Sequence, residues 1–343
     1  MAVLVNVYAT CRQIAPPSFE HTMLERRDRS DPELIEHLDG FIGYIMQGGQ
    51  RPMTQSLYHV MRHIQRVRQH LSLRVDRAHF EALADWAWSI NAIIFLEDGS
   101  VRDPAGRMLV AADTGLPADG AHVPYPRDAI DRKQRHDERL RADGIAVADG
   151  LPPEVGEHEV VLRTPREVAE RAFALLAVAL RGESIDGGDA LSASDLRKRL
   201  PFALDALSPK EAAFMSDAAP SNQAAVDHAW RYECVWTLQW ALGLVEPLGS
   251  ASMLCDVPRA ASLFVDAADQ GALVESATLR PTAEILDALD LHLRLHWATR
   301  DATQHGRPPP ADLEPGVLQE RRVALNWLTR FEDAPWDNVD APT

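Results

Sequence analysis

Three stretches of this sequence carry ionisable side chains where an acid, a base and an anion-holding group could meet. Arg231 and Glu233 stand among Trp230, Tyr232, Trp236 and Trp240. Asp287, Asp290, Arg294, His296 and Arg300 punctuate the run from Thr282 to Gln304, and Glu320, Arg321 and Asn326 interrupt an apolar stretch between Val317 and Leu328. A charge that leaves water with an apolar helix must find a partner, so a network shared by the three helices is the economical reading. Two outcomes are open. In a polar pocket of a helical bundle, Arg231, Arg294, Arg300 or Arg321 would hold an anionic ligand while Glu233, Asp287, Asp290 or Glu320 served as acid or base. In a closed lattice, the same groups would only fix which helix packs where. Charge clusters of this kind are commonly structural, which favours the lattice.

Other chemistries find little support. His292 and His296 share a helix face at the spacing a metal site uses, but Leu-Arg-Leu separates them and the glutamate of a zincin is missing. Two histidines hydrogen-bonded in a core, with no metal and no cofactor, are expected instead. There is no Gly-x-Ser-x-Gly elbow, no P-loop and no Gly-x-Gly-x-x-Gly. The tryptophans suit core filling.

The elements that must position these residues are mostly helices. At about 100° per residue, the run Thr282–Gln304 leaves Asp287, Asp290, Arg294 and Asp301 on one narrow polar strip and puts His292, His296 and Arg300 on the apolar side. A helix that apolar is normally buried. Thr164-Pro165-Arg166-Glu167 and Ser208-Pro209-Lys210-Glu211 each combine a capping hydroxyl, a proline preset for the first turn and a glutamate at the third position. Residues 157–343 therefore read as an all-α domain whose tail, Ala334 to Val339, is apolar enough to fold back onto it.

The beginning of the chain has a different rhythm. Val3, Val5 and Val7 alternate with Leu4, Asn6 and Tyr8, the period of a strand. Phe41–Met46, Asn91–Glu97 and Gly106–Ala111 read as further strands, with helices opening at Ser30, Met53 and Asp76. Residues 1–112 are expected to form a small α+β domain, a sheet with helices on one face. Between lie residues 113–156, rich in Pro and Gly around a segment from Asp128 to Arg141 that is charged almost all round. Such a segment buries too little to order itself, so it is read as a linker carrying a solvated helix.

Composition narrows the functional classes. The chain has 343 residues and a net charge of −16. Residues 1–112 hold 12 Lys/Arg against 13 Asp/Glu, so the remainder carries a net charge of −15. That repels phosphate backbones; the basic run Arg62, Arg66, Arg68, Arg74, Arg77 is small and reads as a solvated helix face. No nucleic acid and no membrane partner is expected. Cys11, Cys234 and Cys255 make no disulfide or zinc pattern, and the opening residues lack a signal peptide, so a cytoplasmic protein is expected. A protein partner or a second copy could dock through the N-terminal domain, on a sheet edge offered by Val3–Ala9 or Gly106–Ala111.

Several motifs together resemble a known family. These are Arg163-Thr164-Pro165-Arg166-Glu167-Val168, Trp230-Arg231-Tyr232-Glu233 with Trp240-Ala241-Leu242-Gly243, and Glu284 through Leu291. His296-Trp297-Ala298, Glu320-Arg321 with Ala324-Leu325-Asn326-Trp327-Leu328, and Trp336-Asp337 complete the set. In this order they look like the bacterial domain-of-unknown-function family 4272, over about residues 127–343. Where this chain has Pro281, the family pattern more often has a small capping residue. The resemblance implies a bacterial source and the helical domain; it supplies no activity, cofactor or catalytic residue. What remains is an expectation of a non-enzymatic accessory or immunity-type protein that binds a partner or ligand. The alternative is an enzyme acting on a small anionic substrate through the Glu/Asp/His/Arg cluster.

Overall fold

The alternation at the start of the chain does make a strand, β1 (Ala2–Ala9), in the computed structural model, which describes residues 2–343. It is followed by β2 (His21–Asp28), α1 (Pro32–Ile45), α2 (Gln55–Arg66), β3 (Gln69–Asp76), α3 (Phe80–Ser89), β4 (Ala92–Leu96), β5 (Val101–Arg102) and β6 (Met108–Val110). The strands form one antiparallel sheet in the order β2-β3-β1-β4-β5-β6. β1 is thus internal: Val5 lies opposite Leu73 of β3 on one side and Leu96 of β4 on the other. The edges are β2 and β6, which removes Val3–Ala9 as a docking edge.

Period-2 alternation splits β1 between two cores. Tyr8 faces Leu34, Leu38 and Phe41 of α1 and Leu57, Val60 and Ile64 of α2. Val5, Val7 and Ala9 face Leu83, Trp86 and Ala87 of α3. The domain is α+β as expected, but helices cover both faces of the sheet instead of one. A strand was expected at Phe41–Met46; α1 runs through it, because Phe41 and Ile45 continue the buried stripe begun by Leu34 and Leu38 at helical spacing. Three strands, β2, β3 and the two-residue β5, are not announced by the sequence. A helix from Met53 to Leu71 was expected across the start of β3; it stops at Arg66 because Val67 turns extended (φ −53°, ψ 130°). β2 is an exposed edge whose Glu25, Arg26, Arg27 and Asp28 show no apolar alternation. Nor is the basic run wholly solvated: Arg66 lies 3.5 Å from the buried Glu159 and over the ring of Tyr125.

The remaining elements are helical: α4 (Arg127–Ala142), α5 (Pro165–Asp186), α6 (Ala193–Arg199), α7 (Pro209–Ser216), α8 (Asn222–Ala229), α9 (Arg231–Ala241), α10 (Val257–Val265), α11 (Gln270–Glu275), α12 (Thr282–Gln304) and α13 (Pro315–Leu328). Two compact units result: one covers the chain to Asp131 together with Pro152–Val160, the other Arg132–Leu151 and Val161–Thr343. The capping boxes at Thr164 and Ser208 form as read. Helix α5 carries the second unit's core; at Gly182 an added Cβ would stand 2.4 Å from the Ala225 carbonyl, so only glycine lets α8 lie this close. The C-terminal tail does fold back, with Trp336 edge-on to Trp327 (5.6 Å between centroids) and the Arg171 guanidinium over its ring.

Helix α4 is not the solvated helix its composition suggested. Ala129, Arg132, His136 and Leu140, spaced three, four and four residues apart, are all buried. That is a helical stripe concealed because two of its members are basic.

Candidate functional site

Helix α12 organises the site. Of its polar strip, Asp290 and Arg294 are 0% exposed, while Arg300, expected on the apolar side, is exposed. What buries the strip is α4. His136 Nδ1 lies 2.9 Å from Asp290 Oδ2 and its Nε2 lies 3.3 Å from Asp287 Oδ2. Arg294 donates to both oxygens of Asp290 at 2.9 Å and sits 3.3 Å from Asp137 of α4. At the surface, Arg135 meets Asp287 at 2.6 Å. Burial opposes charging of His136, but its bonds to Asp287 and Asp290 outweigh this and raise its pKa above 6.5. The same bonds, led by the one from His136, hold the Asp287 carboxyl below its ordinary value.

A second network ties α9 to α13. Arg321 Nε donates to Glu233 Oε2 at 3.0 Å, and its Nη1 donates to the Gly249 carbonyl at 3.0 Å. The other Glu233 oxygen accepts from the Cys255 amide at 2.5 Å. One buried pair thus clips both ends of the loop from Gly249 to Cys255, and Trp236 Nε1 adds a bond to Leu248 O at 2.9 Å. Nearby, Arg231 meets Glu320 at 2.6 Å, and the Cys234 thiol donates to the same carboxylate at 3.1 Å. Burial and Glu320 push that thiol's pKa well up, so it stays protonated and unreactive. Asn326 is remote from these, donating to the Asp340 carbonyl of the tail at 2.7 Å. His296 is buried beside Arg322 and Arg300, and burial lowers its pKa to about 4.

The charges expected in one network shared by three helices form two instead, α12 with α4 and α9 with α13, and the inner members of both are enclosed. Glu233, Asp290, His296 and Arg321 are each at most 2% exposed. A solvent-reachable cleft of about 880 Å³ lies between what the networks hold. Its floor is α12, through Ala288, Leu291, His292 and Leu295. One wall is the end of α4 with Leu140 and Ile145; the other is Trp240 with the loop Pro247–Ala251. Of the acid, base and anion-holding candidates named from sequence, Asp287 alone lines it, at the rim with Arg135, Arg139, Asp143 and Glu284.

His292 is the polar group set into this apolar floor. Its Nδ1 is 2.7 Å from the Ala288 carbonyl, which can only accept, so the proton sits on Nδ1. Burial, then the Arg321 charge, drives its pKa down to about 3 and keeps it neutral. Nε2 is left as an acceptor with no hydrogen-bond partner among the described residues. Sequence reasoning had made His292 a core histidine and missed Arg135, His136 and Asp137. The signal that could have found them was the buried stripe of α4.

Comparison with known proteins adds a family. A family model, the domain of unknown function DUF4272, matches residues 132–339. The chain belongs to the DUF4272 family. The matched region contains both networks and every residue of the cleft, so the site lies within the family's own domain. No curated protein and no solved structure matches the chain. Among the described residues, no group of His, Cys, Asp and Glu is placed to hold a metal ion. No described helix is long and apolar enough to cross a membrane.

Proposed function

We propose that the DUF4272 domain of this chain is a non-catalytic binding module of the bacterial cytoplasm. Its cleft on α12 takes a small molecule with an apolar body and one hydrogen-bond donor. The observation that carries the reading is the division of labour between charge and access. Glu233, Asp290 and Arg321 are paired and, with His296, sealed, whereas the accessible cleft is largely apolar, with Asp287 only at its rim and an unsatisfied acceptor, His292 Nε2, buried in its floor. A buried acceptor without a partner is costly, and a ligand hydroxyl or N–H would satisfy it. The cleft's size falls within the range of about 300–1,000 Å³ common for ligand sites. An enzyme using Glu233, Asp290, His296 and Arg321 would need at least one of them at an open surface, and each is enclosed.

Docking of a partner protein or second copy through the N-terminal sheet has a narrower base. Its edges are β2 and β6; β2 carries four charges and a bulge between Met23 and Glu25, features that blunt edge pairing.

The test is a fluorescence titration with N-phenyl-1-naphthylamine, a neutral aromatic probe with one N–H. Saturable binding is expected, and Leu291→Trp, which fills the floor of the cleft, should abolish it while leaving the melt near that of the parent. Linear, non-saturating fluorescence, or equal binding by the variant, would overturn the reading.

A further inference from the structure

We propose that His136 is a pH-sensitive clamp: as an imidazolium bridging Asp287 and Asp290 it holds α4 against α12, and on losing its proton it releases the rim of the cleft at Asp287. Both ring nitrogens face carboxylate oxygens, at 2.9 Å and 3.3 Å. Carboxylates only accept, so the arrangement is complete only with a proton on each nitrogen. A histidine in this setting is a cation by geometry, and its charge is conditional in the physiological range.

The charged and titratable neighbours decide which contact gives way. From α12 these are Asp287, Asp290, Arg294 and His292; from α4 itself, Arg132, Arg135 and Asp137; Arg321 and Arg322 of α13 stand on the His292 side. Asp290 is fully buried and held by both donors of Arg294, so it retains the nearer Nδ1 proton. Asp287 has a side chain 43% exposed, and the nitrogen facing it is the more distant. When Nε2 loses its proton, its lone pair faces the Asp287 carboxylate, and Asp287 turns to water and Arg135. His292 stays neutral throughout because its pKa lies near 3. His136, raised above the ordinary 6.5 by its two carboxylate partners, is the group whose charge the clamp follows.

The sign follows from the direction of the shift. With a folded-state pKa above the ordinary 6.5, the clamp contributes fully below pH 6.5 and fades as pH rises through the folded value. α4 is one wall of the cleft, so the cleft keeps this form in acid and loosens in alkali. This last consequence rests on the cleft being a binding site; the clamp itself does not.

Hydrogen exchange of the peptide spanning 132–142, corrected for intrinsic rate, tests the clamp without a ligand, from pH 5.5 to 9. Protection should fall with rising pH, by roughly tenfold for each unit by which the folded pKa exceeds 6.5, while α5 stays constant. In His136→Asn the α4 protection should be lower at pH 5.5 and independent of pH. Because that variant removes a buried group, the nitrogen-15 titration of the His136 ring in the unmodified chain provides a second reading. Both ring nitrogens should be protonated at pH 6.5. A ring that titrates below 6.5, or a pH dependence of α4 that persists in His136→Asn, overturns the clamp. Failure of the probe titration alone would remove the ligand and leave the clamp intact.

Discussion

The two walls of the cleft are held by buried ion pairs of the same general kind, yet they differ in what can undo them. The loop wall, Gly249–Cys255, hangs on Glu233 and Arg321, each at most 1% exposed, with bonds that close onto backbone at both ends. The α4 wall hangs on Asp287, Asp290 and Arg294 through an imidazole whose charge is conditional. An arginine never loses its proton in a protein, whereas a histidine does so near neutrality. Ion pairing therefore gives a permanent wall on one side and a condition-dependent wall on the other.

The sharpest way to break this comparison is Arg321→Met, which leaves Glu233 buried without its cation. A loss of about 3–5 kcal/mol in denaturant unfolding is expected; a loss under about 1 kcal/mol would mean the loop wall is held by packing alone. Asp290→Asn keeps the shape and removes the charge that Arg294 and His136 share. It should cost about 2–3 kcal/mol at pH 6, as expected for lost charge-assisted bonds, and the alkaline loss of α4 protection should shrink with it. If Asp290→Asn matches the parent at pH 6, the clamp is not anchored there. The smallest effect belongs to Arg135→Gln at the exposed rim, within about 1 kcal/mol; a larger cost would show that the rim pair, and not His136, holds the wall.

What was legible beforehand follows from periodicity. The capping boxes, the α12 helix, β1 and the inward turn of Arg231, Glu233, Glu320 and Arg321 could be read because local chemistry and spacing recur along the chain. β2 and α4 were misread for one shared reason: each lacks the apolar pattern that announces burial. β2 is an exposed edge, and α4 buries Arg132 and His136 where an apolar residue would ordinarily stand. The polar strip of α12 was legible but its cover, α4, was not, since a helix displays its stripe without saying what will cover it.

By itself, the sequence determined the long capped helices of the second half, that charges enter the core of the helical domain, and that the chain resembles the DUF4272 family. Tertiary structure alone decided the pairing: that α4 covers the strip of α12, that Glu233 and Arg321 clip a distant loop, and that His292 stands in the floor of the cleft with its Nε2 buried and unpartnered. Local propensity is set by neighbours a turn away, whereas ion-pair partners such as His136 and Asp290, 154 residues apart, meet only when the whole chain has packed.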